Sequence, residues 1–337
     1  MKILVTGGTG FIGSHTAVEL LNAGHEVIII DNLSNSNANV VKRITEITEK
    51  DVEFYNIDVR NYDDLDEICS QYQFDCCIHF AGLKAVGESV ANPILYYDNN
   101  VVGTINLLKI LNKNNCKNII FSSSATVYGI PEFVPITENH PIGNATNPYG
   151  QTKIITERIL TDLYNADNSW NIVLLRYFNP IGAHKSSKIG ENPYGIPNNL
   201  MPYITQVAIG KREYLNIFGN DYDTKDRTCI RDYIHVVNLA KGHVASLKNI
   251  AQNKGLSTYN LGTGNGYSVL DVVKTFEKAS GVTIPYKFAP RREGDITTNY
   301  ADSSKAQIEL GWKPENNLED MCRDSWNWQK NNPNGYN

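Results

Sequence analysis

Lys2-Ile3-Leu4-Val5-Thr6-Gly7-Gly8-Thr9-Gly10-Phe11-Ile12-Gly13 decides the fold. Residues 3–5 are an apolar run of strand length, and residues 12–23 carry a helical pattern. Gly7, Gly10 and Gly13 stand three apart at the junction. There the first glycines permit a tight turn and close approach of backbone to phosphate, and the last lets helix and sheet pack closely. A pyrophosphate would sit on the free N–H groups at the helix N-terminus, where the helix dipole favours an anion. Asp31 ends the second strand-like run, at 27–30. A carboxylate there would accept the adenosine ribose hydroxyls and repel a 2′-phosphate, which points to NAD rather than NADP.

Working outward, strand-like runs recur at 52–57, 76–80, 118–122 and 172–175, with helical patterns at 63–71, 93–112 and 148–165. Repeated strand–helix–strand order predicts a parallel sheet with helices on both faces. Right-handed crossovers make it doubly wound. The fold class is therefore α/β, a doubly wound Rossmann domain. Beyond about residue 179 the pattern becomes irregular. Residues 183–199 are rich in Gly, Pro, Asn and Ser and read as a long loop. Helices follow at 200–210, 236–249, 268–280 and 318–328, with strands at 214–218 and 259–261. We read a smaller, partly interleaved α/β substrate domain. The expected division is 1–179 plus about 232–262 for the NAD-binding domain, and 180–231 with 263–337 for the other. Residues 32–39, rich in asparagine, read as a loop.

Composition excludes several classes. The 337 residues carry a net charge of −5, with no Lys/Arg run, so a nucleic-acid binder is not expected. No apolar stretch approaches the roughly 20 residues of a membrane-spanning helix. The N-terminus lacks a signal-peptide pattern. The six cysteines, with no CxxC spacing, read as reduced thiols of a cytoplasmic protein. The scattered histidines give no metal motif.

The chemistry lies later. Asn147-Pro148-Tyr149-Gly150-Gln151-Thr152-Lys153 starts a helix, with Asn147 as cap and Pro148 in the first turn. Tyr149 and Lys153, four apart, share a face. An ammonium near the phenol would favour the phenolate and lower its pKa. Ser122-Ser123-Ser124 ends the fifth strand and offers a hydroxyl to a reacting sugar oxygen. Asp58 and His79-Phe80-Ala81-Gly82 follow the third and fourth strands, at the end of the sheet where ligands bind. Asp58 is placed to bond the adenine edge.

These pieces resemble the UDP-glucose 4-epimerase family of the extended short-chain dehydrogenases/reductases. The resemblance runs through Leu4-Val5-Thr6-Gly7-Gly8, residues 79–89 from His79 to Ser89, residues 121–129 around Ser122-Ser123-Ser124, Leu175-Arg176-Tyr177-Phe178-Asn179-Pro180, Arg231-Asp232-Tyr233-Ile234-His235-Val236 and Ala289-Pro290-Arg291-Arg292-Glu293-Gly294-Asp295. It implies an NAD site lined by Phe11, Ile12, Asp31, Asn32, Leu33, Ser34, Asn35, Ser36, Asp58, Val59, Phe80, Ala81, Gly82, Leu83, Lys84, Asn99, Lys153 and Phe178. It implies a UDP-sugar site formed by Ser124, Tyr149, Asn179, Asn199, Leu200, Asn216, Ile217, Phe218, Arg231, Arg292, Glu293, Gly294 and Asp295. The implied partners are a UDP-hexose and a second copy of the chain, as a homodimer.

The implied reaction inverts C4 through a 4-ketohexose. Tyr149 takes and returns the O4 proton, Ser124 shares the hydrogen bond, and tightly bound NAD holds the hydride between the two halves. Related dehydratases place an Asp-Glu pair after the strand-five hydroxyl. Here Ser124-Ala125-Thr126 has no carboxylate, which disfavours dehydration. A non-catalytic NAD-binding scaffold would usually have lost Tyr149 or Lys153. In the family a residue after the Arg-Glu-Gly-Asp stretch gates the sugar pocket, and here it falls on Asn299. A residue smaller than tyrosine implies turnover of UDP-GlcNAc and UDP-GalNAc beside UDP-glucose and UDP-galactose; a dedicated UDP-GlcNAc 4-epimerase is the alternative. Arg227 and Cys229 stand where the family commonly has glycine.

Overall fold

Strand β1 (Lys2–Thr6) sits mid-sheet, and its alternation sorts the whole domain into layers. Ile3 and Val5 point into one core and Leu4 into the other, all three fully buried. The computed structural model of the chain describes residues 1–252, 255–292 and 294–337.

In chain order the large sheet uses β1, β2 (Glu26–Asp31), β3 (Glu53–Asn56), β4 (Cys76–His79), β5 (Asn118–Ser124) and β6 (Asn171–Tyr177). The later strands are β7 (Asn179–Ile181), β8 (Leu215–Phe218), β9 (Ile230–His235), β10 (Leu256–Leu261), which joins the large sheet, β11 (Gly266–Ser268), β12 (Tyr286–Ala289) and β13 (Thr298–Asn299). The helices are α1 (Phe11–Asn22), α2 (Asn39–Thr48), α3 (Tyr62–Cys69), α4 (Val86–Ala91), α5 (Pro93–Tyr97), α6 (Gly103–Lys113), α7 (Pro148–Ala166), α8 (Leu200–Ala208), α9 (Val236–Gln252), α10 (Val269–Ser280), α11 (Ser304–Leu310) and α12 (Leu318–Asn331).

The large sheet runs β10-β6-β5-β4-β1-β2-β3, parallel throughout. Both faces are covered, which is why its strands are nearly continuous hydrophobic runs. One core takes Ala17 and Val18 of α1, Val40 and Ile44 of α2 and Leu239 and Leu247 of α9. The other takes Leu65 of α3, Leu107 and Leu111 of α6 and Leu160 of α7. Strand order reverses between β1 and β4, where Thr6 lies beside His79. That reversal opens the crevice in which such sheets bind ligands. A third core, with Ile181, Met201, Ile204, Leu215 and Phe276, underlies the small sheets: β11-β9-β13 with β7 on β9, and β12-β8.

Several features differ from the sequence expectation, three of them near the site. Helix α2 follows the predicted loop. It buries only Val40 and Ile44 and has no side-chain cap, so its local signal is weak. The single helix expected over 93–112 is two helices joined by a π-helical turn, Asp98–Val102, that buries Asn99 and Asn100. Strand β9 carries the Arg231 motif into the small sheet.

Candidate active site

At the dinucleotide end, Gly7 has φ +70°, and a Cβ there would lie 2.6 Å from the Ala81 nitrogen. A Cβ on Gly13 would lie 2.3 Å from the Gly7 carbonyl oxygen. Neither position accepts a side chain, so the loop between β1 and α1 is held against the segment after β4. Gly10 caps α1 without a side-chain bond, which leaves the helix N–H groups free for an anion. The buried Asp31 carboxylate accepts from the Thr9 N–H (3.1 Å), the Leu33 N–H (2.9 Å) and the Ser36 hydroxyl (3.0 Å). Of these donors only the Ser36 hydroxyl rotates freely, so it is the one that ribose hydroxyls can replace. Asp58 accepts from Asn32 and Arg60, and the Arg60 hydrogen bond holds its carboxyl down at about 2. Free N–H groups, backbone bare of side chains and an oriented carboxylate fit a dinucleotide.

Asn100 fixes the segment after β4. Its amide donates to the Leu83 carbonyl and the Thr152 hydroxyl, and its oxygen accepts from the Leu83 N–H. It thereby ties the Phe80-Ala81-Gly82-Leu83 loop to α7. Sequence reasoning named its neighbour Asn99, whose amide donates to Asn100. Val59 lies in the sheet core and Phe178 in a small cluster with Val127 and Ile136. Lys84 pairs with Glu191 of the long loop (3.2 Å), and Glu191 also accepts from Asn199 (2.8 Å). Tyr194 of the same loop donates its N–H to Asn35 (3.2 Å). Glu191 and Tyr194 were not anticipated; their signal is contact between segments far apart in sequence.

The catalytic candidates meet where β5 ends against α7. Asn147 caps α7 through Gly150 N–H (2.9 Å). Lys153 is buried; its Nζ donates to the Ser122 carbonyl (2.6 Å), 6.0 Å from the centre of the Tyr149 ring. Burial pushes its pKa down to about 8, and Glu157 works against that shift. Tyr149 differs from expectation. Burial pushes its phenol up, opposed by a hydrogen bond with Ser124. Lys153 is turned to a carbonyl and does not offset the lost hydration, so the protein alone favours the neutral phenol.

At the other end, Asp295 bridges the two arginines, 3.5 Å from Arg231 Nη2 and 3.1 Å from Arg292 Nε. The Arg292 guanidinium lies 5.0 Å from the centre of the Phe218 ring. Asn216 and Phe218 lie on β8, while Ile217 between them faces the core. Asn199 precedes α8, and Leu200 packs at its start. Asn179 lies on β7 beside Tyr233 of β9. Gly294, at φ +77°, approaches Thr146 just before α7, which brings the arginine loop to the helix of Tyr149 and Lys153. Glu293 lies outside the described residues.

Asn299 is paired in register with Arg231, is 9% exposed, and its side-chain oxygen has no partner. Asp232 aligns this strand by accepting from the N–H groups of Thr263, Gly264 and Ala301. Arg227 takes the left-handed conformation, φ +66°, that glycine adopts without strain, and Cys229 is buried. Among the described residues no group of three His, Cys, Asp or Glu is arranged to hold a metal, and no helix is long and apolar enough to cross a membrane.

A family model described as GDP-mannose 4,6 dehydratase matches residues 4–325. A UDP-glucose 4-epimerase of Bacillus subtilis is 60% identical, covering 100% of this chain and 99% of the relative. One from Dictyostelium discoideum is 56% identical, over 99% and 97%. The crystal structure of UDP-glucose 4-epimerase from Bifidobacterium longum, in complex with NAD+ and UDP, superposes with TM-score 0.97 at 56% identity, covering 99% of this chain and 100% of that one.

Proposed function

The chain belongs to the UDP-glucose 4-epimerases, NAD-dependent isomerases of the extended short-chain dehydrogenase/reductase family, and from that premise we propose how its residues divide the work and which further sugars it accepts. Tyr149 exchanges the proton of the sugar 4-hydroxyl, Ser124 shares its hydrogen bond, and Lys153 supports the phenolate. The observation that carries this is the convergence of the β5 end on the Tyr149–Lys153 face of α7. NAD, when bound, supplies the hydride acceptor and is regenerated in each turnover. Arg231 and Arg292 hold the diphosphate while the sugar presents either face to Tyr149; a guanidinium suits that task through its planar fork of donors. The absence of a carboxylate in Ser124-Ala125-Thr126 favours epimerisation over the dehydration in the family model's description.

The same pocket admits N-acetylated hexoses. Support comes from Asn299: a buried amide side chain with a free acceptor stands opposite Arg231, where a tyrosine would be bulkier. The test is kcat/KM for UDP-galactose and UDP-N-acetylgalactosamine, without added NAD, in wild type, Asn299→Tyr and Tyr149→Phe. Wild type should convert both, and Asn299→Tyr should lose the N-acetyl sugar by roughly tenfold or more. Tyr149→Phe should keep NAD and lose about 10²–10⁴ in rate. A wild type inert toward the N-acetyl sugar sinks the specificity reading; a near-normal Tyr149→Phe sinks the catalytic one.

The working unit is a homodimer in the cytoplasm. Val90 of α4, Ile94 of α5 and Val102 of the π turn are 62%, 78% and 44% exposed, and such apolar groups on adjoining segments favour a protein contact. A solution mass of one chain would remove this proposal. Six unpaired, buried thiols support a reducing compartment. The domain division of 1–179 with 232–262 draws support from α9 packing on α1 and from β10 pairing with β6, although β9 itself pairs across the boundary.

A further inference from the structure

Helix α7 carries a third residue in line with the first two. Tyr149, Lys153 and Glu157 follow at intervals of four and share one face. The last three residues of β5 meet all three. Ser124 bonds Tyr149, the Ser122 carbonyl accepts from Lys153 (2.6 Å), and the Ser123 hydroxyl donates to Glu157 Oε1 (2.5 Å). Glu157 is 2% exposed. Arg176 of β6 clasps it with two bonds, Nη2 to Oε2 at 2.7 Å and Nε to Oε1 at 3.0 Å. The remaining Arg176 nitrogen, Nη1, donates to the Tyr128 hydroxyl and the Glu138 carbonyl.

Folding alone does not require such a pair, since replacing buried ion pairs by apolar groups is often neutral or stabilising. The catalytic lysine supplies a reason. Its hydrogen-bond partner is a neutral carbonyl, and burial works against its charge. Of the groups on elements packed against α7, Tyr177, Tyr128 and Tyr96 are held neutral by burial, as is His79 of β4, which faces the Lys153 charge. Glu88 is engaged by the Tyr96 hydroxyl, and Asp98 by Arg60. Glu157 is the carboxylate one helical turn from Lys153.

We propose that Glu157, pinned by Arg176 and Ser123, is a positioning residue that sustains the Lys153 ammonium beneath Tyr149. This rests on the assignment of Lys153 made above. Arg176 and Ser123 fix where the negative charge sits, and α7 fixes its offset from Lys153. Deprotonation of Lys153 then sets the alkaline limb of activity, and Glu157 sets how alkaline that limb lies.

The experiment is the pH profile of kcat for the NAD-loaded enzyme across neutral and alkaline pH, in four variants. Glu157→Gln should move the alkaline limb about one unit toward acid, the scale of one charge roughly 10 Å away at an effective dielectric of about 20. Glu157→Gln/Arg176→Met removes the orphaned guanidinium, protects the fold, and should keep the shifted limb. Glu157→Asp retains the charge and should restore most of the wild-type profile. A wild-type limb in the double variant, or a limb in Glu157→Asp as shifted as in Glu157→Gln, overturns the proposal. Lys153→Met should lose activity at every pH; an unaffected profile there would overturn the Lys153 assignment instead.

Discussion

On the proposed assignment, the two ends of the site would recognise phosphate in different ways. At the dinucleotide end the work is done by backbone. Gly7 and Gly13 have no room for a Cβ, the α1 N–H groups are free, and Asp31 is oriented by Thr9, Leu33 and Ser36. At the substrate end it falls to side chains. Arg292 is half-exposed, Arg231 reaches from β9, and both rest on Asp295. A site made of backbone is fixed by what the chain cannot contain, whereas a site made of side chains is held by charges that can change partners. The first suits a cofactor kept through many turnovers, the second a substrate that comes and goes.

Gly13→Ala should break the first end most severely. The new Cβ would stand 2.3 Å from the Gly7 oxygen and 2.8 Å from the Gly8 Cα, so backbone must move. Displacement of a binding loop by about an ångström costs on the order of 10² in rate. The variant should purify with little NAD and lose at least that factor; full NAD content, read by absorbance after denaturation, would refute this. Arg231→Ala should act only on the second end. Loss of a charge-assisted hydrogen bond, at about 1.5–3 kcal/mol, predicts KM for the UDP-sugar raised about 10–100-fold with kcat little changed. A matching fall in kcat would place Arg231 in the chemistry. The mildest test is salt. Exposed charges are screened over about 3 Å at 1 M ionic strength, so KM should rise a few-fold on going to about that concentration while bound NAD stays put. Parallel loss of both would erase the contrast.

The legibility of the two ends follows the same division. The glycine loop, Asp31 and the Tyr149–Lys153 pair lie within or beside single elements, where spacing along the chain is spacing in the fold. Asn100 was hidden because the π-helical turn that points it inward depends on packing against α7 and the β4 loop. Glu191, which joins Lys84 to Asn199, depends on two segments more than 100 residues apart meeting. Strands β11 and β13, of three and two residues, exist only through pairing with β9 and leave no periodic trace. The phenol of Tyr149 was misjudged for a related reason: spacing along the chain brings Lys153 near but shows neither the burial that raises the phenol nor the Ser122 carbonyl that Lys153 faces.

Asp295 gives the substrate end one further property. Because its carboxylate already occupies both arginines, a diphosphate bound there as proposed would not add to an empty charge pocket but would exchange with an anion the chain carries itself. Exchange weakens capture, and it also hastens departure, since the carboxylate returns as the product leaves and the guanidinium groups are never stranded. An isomerase whose product differs from its substrate at one carbon gains little from tight capture.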